Sequence, residues 1–374
     1  MTLLLPNWNG VAYNDRTICI MADSTGEGDT FGAVDENSYP MLIREKMRAA
    51  WGISGTGFLG TWRGTNGSDE WGLAGSGFSA TGWTESATTD LWGQGPYIQG
   101  NNVRRGTQQG VGSTAVATFT LPRWLREAPL SSPNVGVILY MVDGVSSNNF
   151  SYSVDGGAWT DTAATWTQNS KMKRVNLVVT PTSTIAVRAA TAAGTSRTIY
   201  LSGIEIKTSL NGATLHDVSG SGEGLYSTAY NNAAGGLADA MGFLDLLQPK
   251  ATVVAYTNDF DPSFYGDGTR IGTDLDYIVA RSTYGLVIPM MFWGQDRTNA
   301  STIFPAAATT YNSKGTSGAY IDLFGTYGDY TAVAALGYMA DTVHPNDAGS
   351  REIARVLWRY LSRGDNAYRI RSSP

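Results

Sequence analysis

The sequence is poor in cysteine, histidine and charge. It contains one cysteine, Cys19, and two histidines, His216 and His344, among 374 residues. A single cysteine excludes an internal disulfide and a cysteine zinc site, and any histidine base must be one of these two residues. Charged residues make up only 16% of the chain, and the net charge is −6. Without a basic excess, nucleic acid is not expected as a partner.

Long apolar runs are also missing. No run approaches the length of a transmembrane helix, so the chain is not expected to span a membrane. The first ten residues contain three consecutive leucines without a basic flank, which predicts no signal peptide. We therefore expect either a cytoplasmic protein or one that reaches the outside by another route, for example in a virion with assembly or cell-surface partners.

Apolar residues and glycine are plentiful. Apolar residues make up 42% of the chain, enough for a full hydrophobic core, which excludes global disorder. The length suggests two or three domains. The 45 glycines point to loops, turns and β structure.

The N-terminal part has the pattern of a strand, a loop and a helix. The apolar run Thr17–Ala22 predicts a buried parallel strand. A polar turn containing Ser24 follows, and apolar residues then recur at helical spacing between residues 39 and 50. Ligands bind at the carboxyl ends of strands in open α/β sheets, which is where this pattern places Ser24.

Residues 51–94 lose the helical period and are rich in glycine and tryptophan. Two interpretations stay open: the tryptophans form an aromatic wall for sugar or acyl groups, or they anchor long loops, as aromatic residues often do. The tryptophans in question are Trp51, Trp62, Trp71, Trp83 and Trp92.

An all-β pattern follows, and an α/β pattern then resumes. Short strand-like runs separated by turn residues predict a β-sandwich over residues 96–207. Its strands are predicted at 115–121, 135–142, 150–154, 174–179, 184–189 and 198–206. Further strands are predicted at 213–218, 251–255, 286–292 and 320–323, with helices near 238–247 and 274–280 and at the amphipathic C-terminus. We predict an α/β core with a parallel sheet, formed by residues 1–95 and 208–374, that is interrupted by the sandwich.

Polar residues suited to acyl transfer follow several predicted strands. A serine hydroxyl such as that of Ser24 needs an adjacent base, for which His344 is the candidate. Asp341, three residues earlier, can hold the imidazole in the correct tautomer. The oxyanion of the tetrahedral intermediate needs hydrogen-bond donors, which the Asn258 amide and the backbone N–H groups of Ser24 and Gly220 would supply.

These ordered blocks resemble the SGNH (GDSL-type) hydrolase family. The first family block, Gly-Asp-Ser, is Ala22-Asp23-Ser24 here, and the third, Gly-x-Asn-Asp, is Tyr256-Thr257-Asn258-Asp259. The fifth, Asp-x-x-His-Pro, is intact at residues 341–345. The second block, a glycine after a strand, matches Gly220, with Gly222 as the alternative. Tyr256 stands where the family has glycine and is expected to narrow the pocket or to reposition Asn258.

The resemblance implies a three-layer α/β/α fold and hydrolysis of carboxylic esters without a cofactor or metal. It assigns Ser24 as nucleophile, His344 as base and Asp341 as its orienting carboxylate, with Ser24, Gly220 and Asn258 forming the oxyanion hole. Inserts in related multi-domain enzymes resemble carbohydrate-binding modules. The leading substrate is therefore an O-acetyl group on a polysaccharide or cell-wall glycan.

Two other functions stay open. A lipase or thioesterase would use the same residues on a lipid or other long-chain ester. A structural or receptor-binding component of an extracellular assembly, such as a phage tail, would fit the Gly/Ser/Thr/Trp-rich composition, with or without esterase activity. Among the remaining residues, His216 is interpreted as a strand-end residue, Gly26-x-Gly28 lacks the spacing of a dinucleotide fingerprint, and Asp261 and Asp267 lack metal-ligand spacing.

Overall fold

The chain folds into two compact units, one of them built from two separate segments. A computed structural model describes residues 16–27, 37–52, 54–60, 78–85, 108–121, 136–142, 149–162, 172–179, 182–190, 198–208, 212–219, 224–225, 242–260, 270–297 and 300–363. The first unit contains Met1–Ile53 and Asn211–Pro374, and the second contains Ser54–Leu210.

The described elements are numbered here in chain order. The strands are β1 (Thr17–Ala22), β2 (Leu59–Gly60), β3 (Phe78–Thr81), β4 (Trp83–Glu85), β5 (Gln108–Val111), β6 (Val116–Thr120), β7 (Gly136–Val142), β8 (Phe150–Val154), β9 (Thr160–Asp161), β10 (Met172–Val178), β11 (Thr184–Ala189), β12 (Thr198–Lys207), β13 (Thr214–Asp217), β14 (Ala251–Ala255), β15 (Leu286–Met291) and β16 (Ile321–Asp322). The helices are α1 (Ser24–Glu27), α2 (Tyr39–Trp51), α3 (Gly242–Leu247), α4 (Ile271–Arg281), α5 (Ala300–Lys314), α6 (Leu323–Tyr327), α7 (Tyr330–Ala335) and α8 (Asp347–Arg363).

The first unit is organised around a parallel sheet with the strand order β13-β1-β14-β15-β16. Its central strands are nearly continuous apolar runs because both faces of a parallel sheet are covered by helices. Ile18 and Ile20 of β1 share one buried cluster with α2 and α8. Helices α4 and α5 pack together and against β15, and none of their residues belongs to that cluster, as expected for the opposite face. The predicted α/β fold class with a parallel sheet is confirmed.

Most of the elements predicted for this unit are present. Strands β1 and β14 have the predicted bounds, and β16 is shorter than predicted. Helices α5, α6 and α7 were not predicted from the sequence. Pro305 lies inside α5, and a proline inside an apolar pattern argues against a helix at the level of sequence. No helix among the described residues is long and apolar enough to cross a membrane.

The second unit contains two antiparallel sheets. One has the order β10-β7-β12-β5-β4, with β2 paired to β12, and the other has the order β3-β6-β11-β8-β9. Alternate residues point inward: Ile185 and Val187 of β11 lie in the same buried cluster as Val137 and Leu139 of β7. The two sheets therefore bury their apolar faces in one core, as period-two alternation requires.

The boundary of this unit differs from the prediction at its N-terminal end. It begins at Ser54 rather than at residue 96. The cause is long-range pairing, because β3 pairs with β6 and β4 pairs with β5. Trp51 ends α2 and packs against Trp358 of α8, with ring centroids 5.0 Å apart. Trp62, Trp71 and Trp92 lie outside the described residues, so both interpretations of the tryptophan-rich segment stay predictions.

The carboxylate of Asp23 joins the ends of β1 and β14. Asp23 is fully buried. Its Oδ1 accepts hydrogen bonds from Thr25 N (2.9 Å) and Thr25 Oγ1 (2.7 Å), and its Oδ2 accepts from Thr257 N (2.5 Å), Thr257 Oγ1 (2.7 Å) and Asn258 N (3.2 Å). Burying a carboxylate is costly unless hydrogen bonds replace its water shell, and these donors do so. Asp23 thereby fixes the turn after β1 against the turn after β14.

Replacing Asp23 with asparagine tests this connection. Asp23→Asn puts an NH2 group opposite N–H and O–H donors, so buried donors lose their acceptor. We expect the free energy of unfolding to fall by about 2–4 kcal/mol, measured by chemical denaturation. Asp276→Asn is the matched control, because it removes an exposed ion pair to Lys314 and should cost less than about 1 kcal/mol. Equal stability of Asp23→Asn and the wild type would contradict the role of Asp23.

A second carboxyl group, on α4, is buried without hydrogen bonds. The side chain of Asp274 is 1% exposed, and neither of its carboxylate oxygens accepts a hydrogen bond within the described part of the chain. Burial raises the pKa of Asp274 from 3.8 to about 6, although Arg270 Nη2, 3.6 Å away, favours the ionised form. The folded state therefore binds the carboxyl proton more tightly than the unfolded state. The free energy of unfolding then falls as the pH rises from 3.8 to about 6.

Asp274→Asn removes the buried charge. We expect it to raise the free energy of unfolding by about 1–3 kcal/mol at about pH 7.5, where the wild-type carboxyl is ionised. At about pH 4.5 the carboxyl group is largely protonated in the folded wild type, so the gain should shrink to about 1 kcal/mol or less. Denaturation of both proteins at the two pH values checks this. An equal change in the free energy of unfolding at both pH values would contradict a raised pKa of Asp274.

Candidate active site

Ser24 lies in a tight turn at the carboxyl end of β1. It begins the four-residue helix α1, and the N–H of Gly26 donates to the carbonyl of Asp23 (3.0 Å). A Cβ at Gly26 would lie 2.6 Å from both Ala22 Cβ and Ser219 Oγ. Only glycine allows the turn to approach β1 and the segment after β13 so closely. The position of Ser24, which is 8% exposed, is therefore set by close packing.

Ser24 and His344 are in hydrogen-bond contact although 320 residues separate them in the sequence. Ser24 Oγ lies 2.9 Å from His344 Nε2, and His344 Nδ1 lies 2.8 Å from Asp341 Oδ2. When Nδ1–H donates to the carboxylate, Nε2 carries the lone pair and accepts from the serine hydroxyl. Three sequence-predicted residues thus form one continuous hydrogen-bonded chain.

Asp341 is held as a carboxylate by its own turn. Its Oδ1 accepts from the N–H groups of Val343 (2.7 Å) and His344 (2.6 Å). Partial burial acts to raise the pKa of Asp341, but the hydrogen bonds from the His344 amide and imidazole and from the Val343 amide outweigh it and leave the pKa below its usual value. The carboxyl group is therefore ionised at neutral pH, as an orienting partner of imidazole must be.

The His344 turn is anchored at both ends. Met339 and Pro345 form a β-bridge, and Ala340 N donates to His344 O (2.9 Å). Asn346 Oδ1 accepts from Gly349 N (3.0 Å) in the first turn of α8. These contacts join the turn to a long helix of the core, which restricts the motion of the imidazole.

Asn258 lies at the carboxyl end of the neighbouring strand. It begins a 3₁₀ turn after β14, is 4% exposed, and donates its N–H to Asp23. Its side-chain Oδ1 accepts from Arg297 Nη2 (3.3 Å). A guanidinium group only donates, so the amide oxygen faces Arg297 and the NH2 group points away from it.

The remaining residues singled out from the sequence either lie outside the described residues or are buried. Gly220 and Gly222 lie outside the described residues, so the second oxyanion donor stays a prediction. His216 is buried in β13 opposite Cys19 and forms part of the sheet. Tyr256 is also buried, and its carbonyl accepts from the Tyr311 hydroxyl (3.2 Å). Within the described segments, no group of three or more His, Cys, Asp or Glu residues is arranged to hold a metal ion.

Two polar residues that follow β15, Gln295 and Arg297, were not predicted as site residues. Gln295 Nε2 donates to Val343 O (2.9 Å), and Arg297 Nε donates to Gln295 Oε1 (2.5 Å). The available signal was their position, because they follow a parallel strand at its carboxyl end, as Ser24 and Asn258 do.

Comparison with known proteins gives a likeness in fold. No protein-family model and no curated protein matches the sequence. Among solved structures, a peptidoglycan O-acetylesterase aligns with 93% of this chain and 91% of its own, with a TM-score of 0.60 and 14% identity. A family two carbohydrate esterase from Cellvibrio japonicus aligns with 77% of this chain and 98% of its own (TM-score 0.28, 11% identity). A lipolytic protein of the G-D-S-L family from Veillonella parvula DSM 2008 aligns with 41% of this chain and 84% of its own (TM-score 0.31, 20% identity).

Only the first of these scores establishes a common fold. The alignment with the peptidoglycan O-acetylesterase covers nearly the whole of both chains, including most of the part of this chain that forms the antiparallel sheets. The chain therefore shares the fold of that structure, with a parallel α/β unit whose sequence is interrupted by a segment of antiparallel sheets.

Proposed function

We propose that this protein is a serine esterase with Ser24 as nucleophile, His344 as base and Asp341 as the carboxylate that orients the base. The observation that carries the proposal is the continuous hydrogen-bonded chain from Ser24 Oγ through His344 to Asp341. A serine hydroxyl is a weak nucleophile unless a base removes its proton during attack. His344 Nε2 lies beside the Ser24 hydroxyl, and with its proton on Nδ1 the imidazole can act as that base.

The reaction follows from the direction of these hydrogen bonds. His344 Nε2 takes the hydroxyl proton as Ser24 Oγ attacks the ester carbonyl, and Asp341 stabilises the imidazolium that forms. The carbonyl electron pair moves onto its oxygen. When the intermediate collapses, His344 gives its proton to the departing alcohol and leaves an acyl-Ser24 ester. Water then repeats the sequence, releasing the acid and restoring Ser24.

The oxyanion of the intermediate needs donors fixed before the reaction begins. The Asn258 side-chain amide and the Ser24 backbone N–H lie on turns that share the Asp23 carboxylate, which supports their assignment to this role. The Gly220 backbone N–H completes the proposed set. Each such donor contributes about 3–4 kcal/mol to lowering the barrier.

The proposed substrate is an O-acetyl group on a polysaccharide, with peptidoglycan as the first choice. Its support is the fold shared with a peptidoglycan O-acetylesterase over nearly the whole chain. A lipase or thioesterase would use the same nucleophile but would need space for a long acyl chain. Acyl-chain preference therefore separates the two.

Covalent labelling tests the nucleophile. We expect a fluorophosphonate probe to modify Ser24, located by mass spectrometry, and Ser24→Ala to remove the adduct. His344→Ala should slow labelling by about 10²–10⁴-fold, because general-base assistance is lost. Ser313→Ala is the matched control, since the hydroxyl of this exposed serine donates to the Thr310 carbonyl on α5, and it should label like the wild type. Labelling of His344→Ala at the wild-type rate would contradict the proposed base.

Acetate release tests the substrate. We expect the wild type, but not Ser24→Ala, to release acetate from O-acetylated peptidoglycan. On p-nitrophenyl esters, kcat/KM for acetate should exceed that for dodecanoate by at least about tenfold. A preference for dodecanoate would favour the lipase or thioesterase function. Labelling of Ser24 without acetate release from peptidoglycan or any other acetylated glycan would keep the esterase and reject the glycan.

A further inference from the structure

Three hydrogen bonds connect the turn that carries Asn258 with the turn that carries His344. Arg297 Nη2 donates to Asn258 Oδ1 (3.3 Å), Arg297 Nε donates to Gln295 Oε1 (2.5 Å), and Gln295 Nε2 donates to Val343 O (2.9 Å). We call this set the Asn258–Val343 chain. Both of its middle residues come from the segment after β15, and its last acceptor is the carbonyl directly before His344.

The donor chemistry of arginine fixes the direction of the whole set. A guanidinium has no acceptor, so the oxygen atoms of both neighbouring amides must face it. For Gln295 this directs the NH2 group toward Val343 O, which is the contact observed. For Asn258 it directs the NH2 group away from Arg297. An asparagine without such a neighbour can rotate by 180° and present its oxygen instead, which would repel an oxyanion.

Burial and packing make the arrangement rigid. The side chain of Gln295 is buried, with 1% of the residue exposed. The adjacent Asp296 N donates to Thr342 O (2.9 Å), which adds a backbone contact to the same turn. A Cβ at Gly294 would lie 2.4 Å from Asp329 Cα, so the start of the segment is packed against backbone. The segment therefore holds a fixed position between the two turns.

The charge of Arg297 also acts on the Asn258 amide. A cation that donates to an amide oxygen draws electron density toward it and makes the N–H groups of the same amide better donors. The stabilisation by these N–H groups increases as negative charge develops on the substrate oxygen. It therefore favours the transition state over bound substrate.

We propose that Arg297 is a positioning residue that orients and polarises Asn258 as an oxyanion donor, and that Gln295 couples this donor to the turn of His344. The proposal rests on the esterase function proposed above. It assigns no substrate contact to Arg297, which acts through Asn258. An arginine that bound an anionic substrate directly would behave differently in the experiment below.

A double-mutant cycle on p-nitrophenyl acetate tests the proposal. We expect Asn258→Ala to lower kcat by about 10²–10³-fold. Arg297→Met should lower kcat by at least about tenfold, with KM changed by less than about twofold, because the lost interaction acts in the transition state. The double variant should be no slower than Asn258→Ala alone, because Arg297 acts through Asn258. Arg297→Lys, which keeps a cationic donor, should recover part of the loss.

Arg351→Met is the matched control. This arginine lies on α8 with a side chain that is 64% exposed, so its removal should leave kcat and KM unchanged. If the fold-loss in kcat of the double variant equalled the product of the two single losses, Arg297 would act independently of Asn258, and the proposal would be overturned. An unchanged kcat in Arg297→Met would overturn it as well. A rise in KM with kcat unchanged would mean that Arg297 contacts the substrate, and it would also overturn the proposal.

A spectroscopic measurement judges the hydrogen bonds without relying on activity. In ¹⁵N NMR of the full chain, the Nε–H signal of Arg297 should exchange slowly with water and be absent from Arg297→Lys. Gln295→Leu should speed this exchange by at least about tenfold, because the acceptor of the Nε–H is removed. If the wild type hydrolysed no ester, the proposed esterase function would be rejected. This signal would still report on the hydrogen bonds of the Asn258–Val343 chain. Exchange of the Arg297 Nε–H at the rate of free arginine would overturn the inference in either case.

Discussion

The candidate site depends on the burial of one carboxylate, that of Asp23. A buried negative charge is destabilising unless surrounding donors replace its lost hydration. Here the donors come from the two turns that carry Ser24 and Asn258, so satisfying the charge also fixes the distance between those turns. A single electrostatic requirement thus sets the geometry of two chemically distinct residues. The rest of the site is assembled around this fixed pair of turns.

The parallel sheet explains why residues so distant in sequence meet at this point. Parallel strands place all their carboxyl ends on one edge, so the turns after β1, β14 and β15 are neighbours in space. The turn of His344 precedes α8 and reaches the same edge because α8 shares the buried cluster of β1 and α2. The apolar core therefore determines where the polar residues lie. Loss of packing between α8 and the sheet would separate His344 from Ser24 without changing either residue.

The parts of the molecule that could be predicted are those with a local signal. Strands β1 and β14 are short apolar runs, because both of their faces are buried, and the Asp341 and His344 pair belongs to one compact turn. Helix α5 contains Pro305, which argues against a helix at the level of sequence, and the bounds of the two-residue strand β16 have no reliable local pattern. Strands β3 and β4 are stabilised by partners far along the chain.

The contacts of Gln295 and Arg297 could not be predicted for a different reason. Polar residues in loops are common, and what distinguishes these two is the direction of their side chains. That direction depends on the three-dimensional position of the segment after β15, which no spacing rule encodes. The sequence could place these residues at the functional edge of the sheet, but only the structure connects them to Asn258 and Val343.

Exposure changes steadily along the hydrogen-bonded chain of the proposed triad. Ser24 is 8% exposed, whereas the side chains of His344 and Asp341 are 21% and 46% exposed. The imidazole and the carboxylate are thus more accessible to solvent than the nucleophile. A small acyl group needs little buried space beside Ser24, whereas a long acyl chain would need a cavity to hold it. The proposed acetyl ester therefore makes the smaller demand on the space beside Ser24. In the proposed reaction, the departing alcohol takes its proton from His344, which is more exposed to solvent than Ser24.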